Sequence, residues 1–398
     1  MTTSTPDIDS THKSASNTNL IDDDIGFLRR FWRGRIWYGT EWYITVFGGT
    51  VLVVIAILTF IAPLISPYDP NEFIGAAFTP PGGGLQTILV RAGENPLEDS
   101  KLEDLVVGVQ RNRNGTNWAN EVELQKNRYM DEETMLAGLE NGEVDLIFID
   151  QDLVPQVIEA NPWIEIAMEK VGRKYLLGTD NLGRDISSRL IWGGRTVLGV
   201  AISSALLSST IGITLGLISG FVGGSVDRVL SLTMDSLYSF PGLLLAIAMA
   251  AMLGPGLFNV AVAISVIYIP TFFRVVRGQV LSAKEELYIE AAHSIGAKPR
   301  TILTRYIFPN VIASVVVVFS LNVADAILTA VGLSFIGLGL PPDVPDWGYD
   351  LSKGHQYLVA GHWWMITFPG ILITLIAVGF SLFGEGLSEI LNPRLADK

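Results

Sequence analysis

Apolar residues in this chain gather into six long runs, near residues 43–65, 197–222, 230–253, 260–276, 311–328 and 363–383, separated by polar or glycine-rich stretches. Each run approaches the ~20 residues that a helix needs to cross the ~30 Å hydrocarbon core of a bilayer. The pattern therefore predicts six transmembrane helices and an all-α, polytopic membrane protein. Arg29, Arg30, Arg33 and Arg35 precede the first run, and Arg274, Arg277, Lys284, Lys298, Arg300 and Arg305 follow or flank the fourth. Basic residues favour the cytoplasmic side, so six crossings put both the amino end and the carboxyl end, with Arg394 and Lys398, in the cytoplasm. Asp343, Asp346 and Asp350 then fall outside. Arg184, Arg189 and Arg195 stand against this trend just before the second run and are expected to face protein or water rather than lipid.

Between the first two runs the period changes. After Pro63, Pro67 and the turn-forming string Thr79-Pro80-Pro81-Gly82-Gly83-Gly84, residues 105–109 and 144–150 read as short buried strands. Asp131 through Asn141 reads as a helix with Met135, Leu136 and Leu139 on one face and an Asn-Gly stop. The divisions expected are a disordered cytoplasmic tail (1–26), an amino-terminal segment with the first transmembrane helix (27–81), an extracytoplasmic α/β insert (82–175) and a core with the remaining helices (176–395).

Composition sharpens this picture in three ways. About half of the 398 residues are apolar (49%) and only 17% are charged, too greasy for an ordinary soluble protein of this size. Residues 82–175 hold 18 acidic and 9 basic side chains, so the insert carries most of the chain's net charge of −13. No basic stripe interleaved with aromatics suggests nucleic acid, and without cysteine there is neither disulfide nor thiolate metal site. The sequence has no G-x-x-x-x-G-K-[ST] phosphate loop, no G-x-S-x-G elbow and no H-E-x-x-H pair. His12, His293, His355 and His362 lack metal-ligand spacing, the last two reading as interfacial beside Trp363 and Trp364. No bound cofactor is expected. Gly199, Gly212, Gly216 and Gly220, with Ser203, Ser204, Ser208 and Ser209, form a small-residue stripe for close helix contact, within this bundle or with another membrane subunit.

The polar segment 283–309 interrupts two apolar runs on the expected cytoplasmic side. Glu290-Ala291-Ala292, then three residues, Gly296, then nine residues and Tyr306-Ile307-Phe308-Pro309, resembles the EAA loop of ABC-importer permeases. Leu177-Gly178-Thr179-Asp180-Asn181-Leu182-Gly183-Arg184-Asp185 with Ser188-Arg189, then Leu333 through Gly339, Trp347-Gly348 and Leu391-Asn392-Pro393-Arg394-Leu395 strengthen the match, in this order, to the second membrane subunit of the dipeptide/oligopeptide/nickel subfamily. The resemblance covers residues 27–81 and 176–395. It implies a type I importer permease fold and a place in the cell inner membrane. It also implies a second homologous permease subunit, two cytoplasmic ABC ATPase subunits that bind ATP and Mg²⁺, and an extracytoplasmic solute-binding protein. Glu290, Ala291, Ala292, Gly296 and Pro309 would couple to the ATPases: the alanines keep a short helix slim, Gly296 permits a sharp turn, and Pro309 ends the segment.

Gly178, Thr179, Asp180, Gly183, Arg184 and Asp185 read as a tight turn with an internal Arg–carboxylate pair, either bracing the outer mouth of a path or capping the next helix. Asp325 is the intramembrane charge with most claim to function. The sequence departs from the family at Ala330, where an acid is common, at Tyr306 and Phe308, and in the insert, which stands where relatives have a short connection. Residues 135–163 look like a piece of a solute-binding-protein lobe, with a spacer that touches such a protein as the competing reading. Two other functions stay open: an ion-gradient-driven secondary transporter, which would need inverted repeats or paired intramembrane charges, and a membrane sensor whose insert binds a ligand, which would need an output domain.

Overall fold

The computed structural model describes residues 27–390. The tail expected over 1–26 and the closing motif Leu391–Leu395 lie outside the described residues. The first helix, α1 (Phe27–Phe60), is interrupted at Gly39, whose φ of +51° breaks the helical path, and its Trp42–Phe60 part is long and apolar enough to cross a membrane. A single turn, α2 (Ala62–Ile65), follows with Pro63 in its first turn, where a missing N–H costs nothing.

The segment after α2 folds as α/β. Strands β1 (Gln86–Arg91), β2 (Val106–Gln110), β3 (Gln125–Tyr129), β4 (Leu146–Asp150) and β5 (Ile164–Val171) form one sheet in the order β3-β2-β4-β1-β5. β2 is parallel to β3 and β4, and β1 is antiparallel to β4 and β5. Alternate side chains on a strand point to opposite faces, and both faces are covered here. Ile88, Val90, Leu146 and Phe148 pack with Ala119 of α3 (Asn114–Glu121). Leu89, Ile147 and Ile149 pack with Met135 and Leu139 of α4 (Glu132–Glu140) and Val157 of α5 (Val154–Ala160). Asp131 caps α4, its carboxylate accepting from Thr134 N–H at 2.8 Å.

The expected linker is no free tether. The Gly82 N–H donates to Tyr175 C=O at 2.8 Å and the Tyr175 N–H to Gly83 C=O at 3.0 Å. Asn114 of α3 accepts from Ala76 N–H at 2.7 Å. The neck of the α/β unit is thus hydrogen-bonded to the chain that enters and leaves it.

The remaining helices are α6 (Ile186–Val222), α7 (Gly224–Tyr238), α8 (Gly242–Leu253), α9 (Leu257–Lys284), α10 (Leu287–Ser294), the short α11 (Pro299–Thr301), a π-helical turn (Ile302–Ile307), α12 (Phe308–Phe335), α13 (Trp347–Tyr357) and α14 (Trp364–Ile390). Among the described residues five helices are long and apolar enough to cross a membrane: Trp42–Phe60 of α1, α6, α9, Ser314–Phe335 of α12, and Trp364–Ser388 of α14. The run near 230–253 corrects the expectation of a single helix. It is the pair α7 and α8, bent by 89°, because Pro241 stands between them, and its ring and missing N–H end a helical ladder. Counting the bent pair as one span gives six.

α6 and α9 run parallel and nearly touch. Gly212 lies against Phe272, Gly216 against Val276 and Gly220 against Val280, and a methyl group on Gly216 would sit 2.9 Å from Phe273 O. Three of the four expected glycines therefore serve contact inside this chain, whereas Gly199 has open space beside it. α12 is antiparallel to α6: Val311 and Val315 cluster with Val276 and Val280, while Val331 and Leu333 cluster with Leu190 and Trp347. α14 is antiparallel to α1, with Gly379 against Leu52 and Gly48 against the Phe383 backbone. One end of the bundle accordingly carries the α/β unit, the start of α6 and α13. The other carries α10, the start of α12 and the end of α14.

Gly216→Leu is expected to cost about 2 kcal/mol or more by forcing α6 from α9, whereas Gly199→Ala stays within ~0.5 kcal/mol. Equilibrium unfolding of the purified protein in mixed micelles measures both.

Candidate functional site

The expected coupling segment has two faces. Ile289 and Ala292 of α10 are buried in a cluster with Val280, Ile302, Ile307 and Val311, which anchors the helix to the end of α9 and the start of α12. Glu290, Ala291 and His293 face away, and at the tip Leu287 and Ile295 are 79% and 81% exposed. Of the two alanines, only Ala291 lies on the outer face; Ala292 is an anchor. The exposed Leu287 and Ile295 were not singled out in the sequence, although apolar residues in an otherwise polar segment are the signal for them.

Gly296 makes the expected turn, at φ +77°. Its N–H bonds to His293 C=O at 2.9 Å and the Ala297 N–H to Ala292 C=O at 3.0 Å, the pairing that ends a helix through a left-handed residue. Pro309 differs from expectation. It opens α12, directly after the π turn Ile302–Ile307, so the chain passes into the next helix without a break. Wider π pairing near a proline accommodates the hydrogen bond that its ring nitrogen cannot donate. Asn310 Nδ2 donates to Tyr288 OH at 2.8 Å, and Lys284 Nζ to Phe221 C=O at 2.9 Å. These bonds tie the base of the segment to α12 and to the carboxyl end of α6.

At the opposite end the sequence motifs converge. In the Gly178–Asp185 loop, Gly178 and Gly183 take φ +83° and +78°. Asp180 accepts from the Leu182 and Arg184 N–H groups at 2.8 and 3.0 Å and from Arg184 Nε at 2.7 Å. Thr179 bonds the linker, receiving Thr79 N–H on its hydroxyl at 2.8 Å. Asp185 caps α6, accepting from Ser188 N–H at 2.7 Å. The loop is thus both the expected Arg–carboxylate turn and a helix cap.

One turn into α6, Arg189 is 1% exposed and forks onto Asp350 of α13, with Nη2–Oδ1 at 2.7 Å and Nε–Oδ2 at 3.1 Å. Its Nη1 donates to Pro70 C=O at 3.2 Å. Trp347 Nε1 donates to Leu190 C=O at 2.8 Å, and Trp364 Nε1 to Thr179 C=O at 3.1 Å. Asp346 caps α13 and accepts from Ser334 Oγ at 2.9 Å. Burial pushes the Asp346 carboxyl above the usual range, against the pull of these donors. His362 stacks on Phe78 with centroids 4.1 Å apart. Arg184 and Arg189 therefore face protein, as expected of cations outside the positive side.

Asp325 stands apart, midway along the membrane-length part of α12 and beside the α7–α8 break. The structure thus brings the outer motifs together and keeps them distant from the 287–309 segment. Among the described residues no group of three or more His, Asp or Glu could hold a metal ion. The arrangement supplies docking and bracing surfaces rather than a nucleophile with its base.

Residues 212–397 match the family of binding-protein-dependent transport system inner membrane components. The chain is 45% identical over 222 residues to the glutathione transport system permease protein GsiD of Pectobacterium atrosepticum, an alignment covering 56% of this chain and 73% of that protein. It is 37% identical over 246 residues to a putative peptide transport system permease protein of Brucella suis, covering 61% and 82%. The chain belongs to this family. As an inner membrane component it is a multi-pass permease subunit of an ABC importer, and ATP hydrolysis belongs to separate subunits. Among solved structures, the MetNI methionine ABC transporter in inward-facing conformations aligns at TM-score 0.42 and 17% identity over 51% of this permease and 96% of that chain. Holo ArgBP from T. maritima aligns at 0.20 and 19%, covering 24% and 42%.

Removing either charge of the Arg189–Asp350 pair in this permease is expected to cost about 3–5 kcal/mol, because the partner is left buried and uncompensated. Arg189→Met combined with Asp350→Leu is expected to recover much of that loss. A double-mutant cycle on purified protein reads the coupling.

Proposed function

We infer that this chain is one of two homologous membrane subunits of an ATP-driven importer for small peptides. The peptide class is supported by relatives named for peptide and glutathione transport. Six crossings in the manner of a type I permease are supported by the parallel course of α6 and α9: a chain that leaves α6 at one end must return through α7 and α8 to enter α9 in the same sense. Both chain ends then share the cytoplasmic side with α10, and the α/β unit between the first two spans stands outside, beside an external solute-binding protein.

The observation that carries the coupling reading is α10 itself. It is a short helix with Leu287, Ala291 and Ile295 outward, hung on α9 and α12 by Ile289 and Ala292. Such a knob fits a groove on a cytoplasmic ATPase, where apolar tips bury and Glu290 meets a donor. Two ATPase subunits bind ATP and Mg²⁺, and closure of their dimer drags α10. Because α10 packs against the starts of one span and the end of another, its displacement tilts α9 and α12 together, and the π turn at Ile302–Ile307 is the joint that absorbs local strain. The bundle thereby rocks between outward-open and inward-open states. This chain performs no bond chemistry.

The complex reconstituted in proteoliposomes with its ATPases and binding protein is expected to take up peptide only with ATP. Glu290→Ala is expected to lower uptake severalfold, and Gly296→Pro to abolish it while ATP hydrolysis continues. Uptake driven by an ion gradient with no ATPase present would overturn the reading.

A further inference from the structure

A cavity of about 470 Å³ opens between the α7–α8 break, α9 and α12. Tyr238, Phe240, Tyr268, Thr271, Asn322 and Asp325 are among its lining residues. Its size lies within the range of small-molecule sites, which combine apolar or aromatic walls with a few fixed polar groups. Broken helices at such a level are a recurrent way of building a substrate site in transporters.

Two of the lining groups carry oxygens without a partner, the exposed Asp325 carboxylate and the buried Asn322 amide. Among the described residues the Asp325 carboxylate has no ion pair, and the two arginines of α9 are paired elsewhere: Arg274 with Asp235 at 2.7 Å and Arg277 with Asp227. Asn322, only 5% exposed, donates through Nδ2 to Val318 C=O at 2.8 Å, yet its Oδ1 accepts nothing. A buried acceptor without a donor and a carboxylate without a cation are both costly at mid-bilayer depth. Asn322 and Asp325 lie three residues apart on one helix, hence on one face. Together they offer three acceptor oxygens against one unused amide N–H, which suits a cation with several N–H groups. The rings of Phe240 and Tyr268 add π faces favourable to an ammonium, whereas the Tyr238 ring already carries the Arg274 guanidinium at 3.9 Å. The Tyr268 hydroxyl is held by Thr329 Oγ1 at 3.1 Å, one further turn along α12.

We propose that Asp325 and the Asn322 Oδ1 hold the amino-terminal ammonium of a peptide in transit, making this cavity a selectivity point within the membrane. The proposal rests on the peptide-import reading. It explains why an unpaired carboxylate stands on α12: the cargo brings the missing charge, and because nothing among the described residues pairs with Asp325, the ammonium is free to leave.

The test uses the complete complex with its binding protein in proteoliposomes, comparing one dipeptide with its N-acetylated form. Asp325→Asn is expected to slow uptake of the free-amine dipeptide about tenfold, to leave the slower uptake of the acetylated form unchanged, and to preserve copurification with the other subunits. Asp325→Glu is expected to restore uptake to within about threefold of the original. Equal loss for both peptides, no loss for either, or detachment of the second permease subunit, as a basic side chain from that subunit would produce, overturns the proposal. A second measurement needs no variant. Dicyclohexylcarbodiimide modifies carboxyl groups in apolar surroundings, and mass spectrometry of the Asp325 segment of the unaltered complex should show protection by the free dipeptide and none by the acetylated one. Equal labelling in the two cases overturns it. If the unaltered complex takes up neither dipeptide with ATP, the import reading itself falls, and the labelling result then has no cargo to report.

Discussion

The buried ion pair between Arg189 and Asp350 ties together parts of the chain that nothing local would join. Its guanidinium reaches α13 through Asp350 and the extended segment after α2 through Pro70 C=O, while its own helix is capped four residues earlier by Asp185. Placing a full charge at 1% exposure is tolerable only because every face of it is answered. Around it lie the indole bond from Trp347 to Leu190 and the indole bond from Trp364 to Thr179. The result is a rigid plate at one end of the bundle, into which the neck of the α/β unit is also bonded.

The second constraint is the glycine contact between α6 and α9, which fixes the direction of two long helices and so the route of everything between them. With those helices parallel, the short, bent pair α7 and α8 must carry the chain back across the bundle. A break at that point is also what leaves room for a cavity beside Asp325. At the far end the same helices terminate where α10 is anchored. Plate, glycine seam and anchored knob thus form one mechanical series from the α/β unit to the segment proposed to meet the ATPases.

Much of this was legible in the sequence where a physical period or a stereochemical demand was local. The short apolar run within residues 144–150 marked β4 as a buried strand, Asp131 and Asn141 bracketed α4, and Gly296 announced its left-handed turn. The motif glycines Gly178 and Gly183 likewise take the conformation that only glycine adopts cheaply. Pairings across long separations were not legible: Arg189 and Asp350 stand 161 residues apart, and no spacing rule connects them. Nor did hydrophobicity distinguish a kinked helix from a broken one at Pro241, since Pro270 and Pro369 lie inside continuous helices. The inward turn of Ala292 and the outward display of Ile295 depend on where α9 and α12 sit, which periodicity in an eight-residue helix is too short to reveal.

The proposed topology puts α10 and the α/β unit in opposite compartments. Because the chain has no cysteine, a single thiol reports its own side unambiguously. Ala291→Cys on α10 and Ala137→Cys on α4 both stand at exposed positions. A membrane-impermeant maleimide added to intact spheroplasts should label Ala137→Cys and spare Ala291→Cys. In inverted vesicles the pattern should reverse, with the thiol at position 291 protected when the ATPases are bound. Labelling of both thiols from the same side would contradict the account.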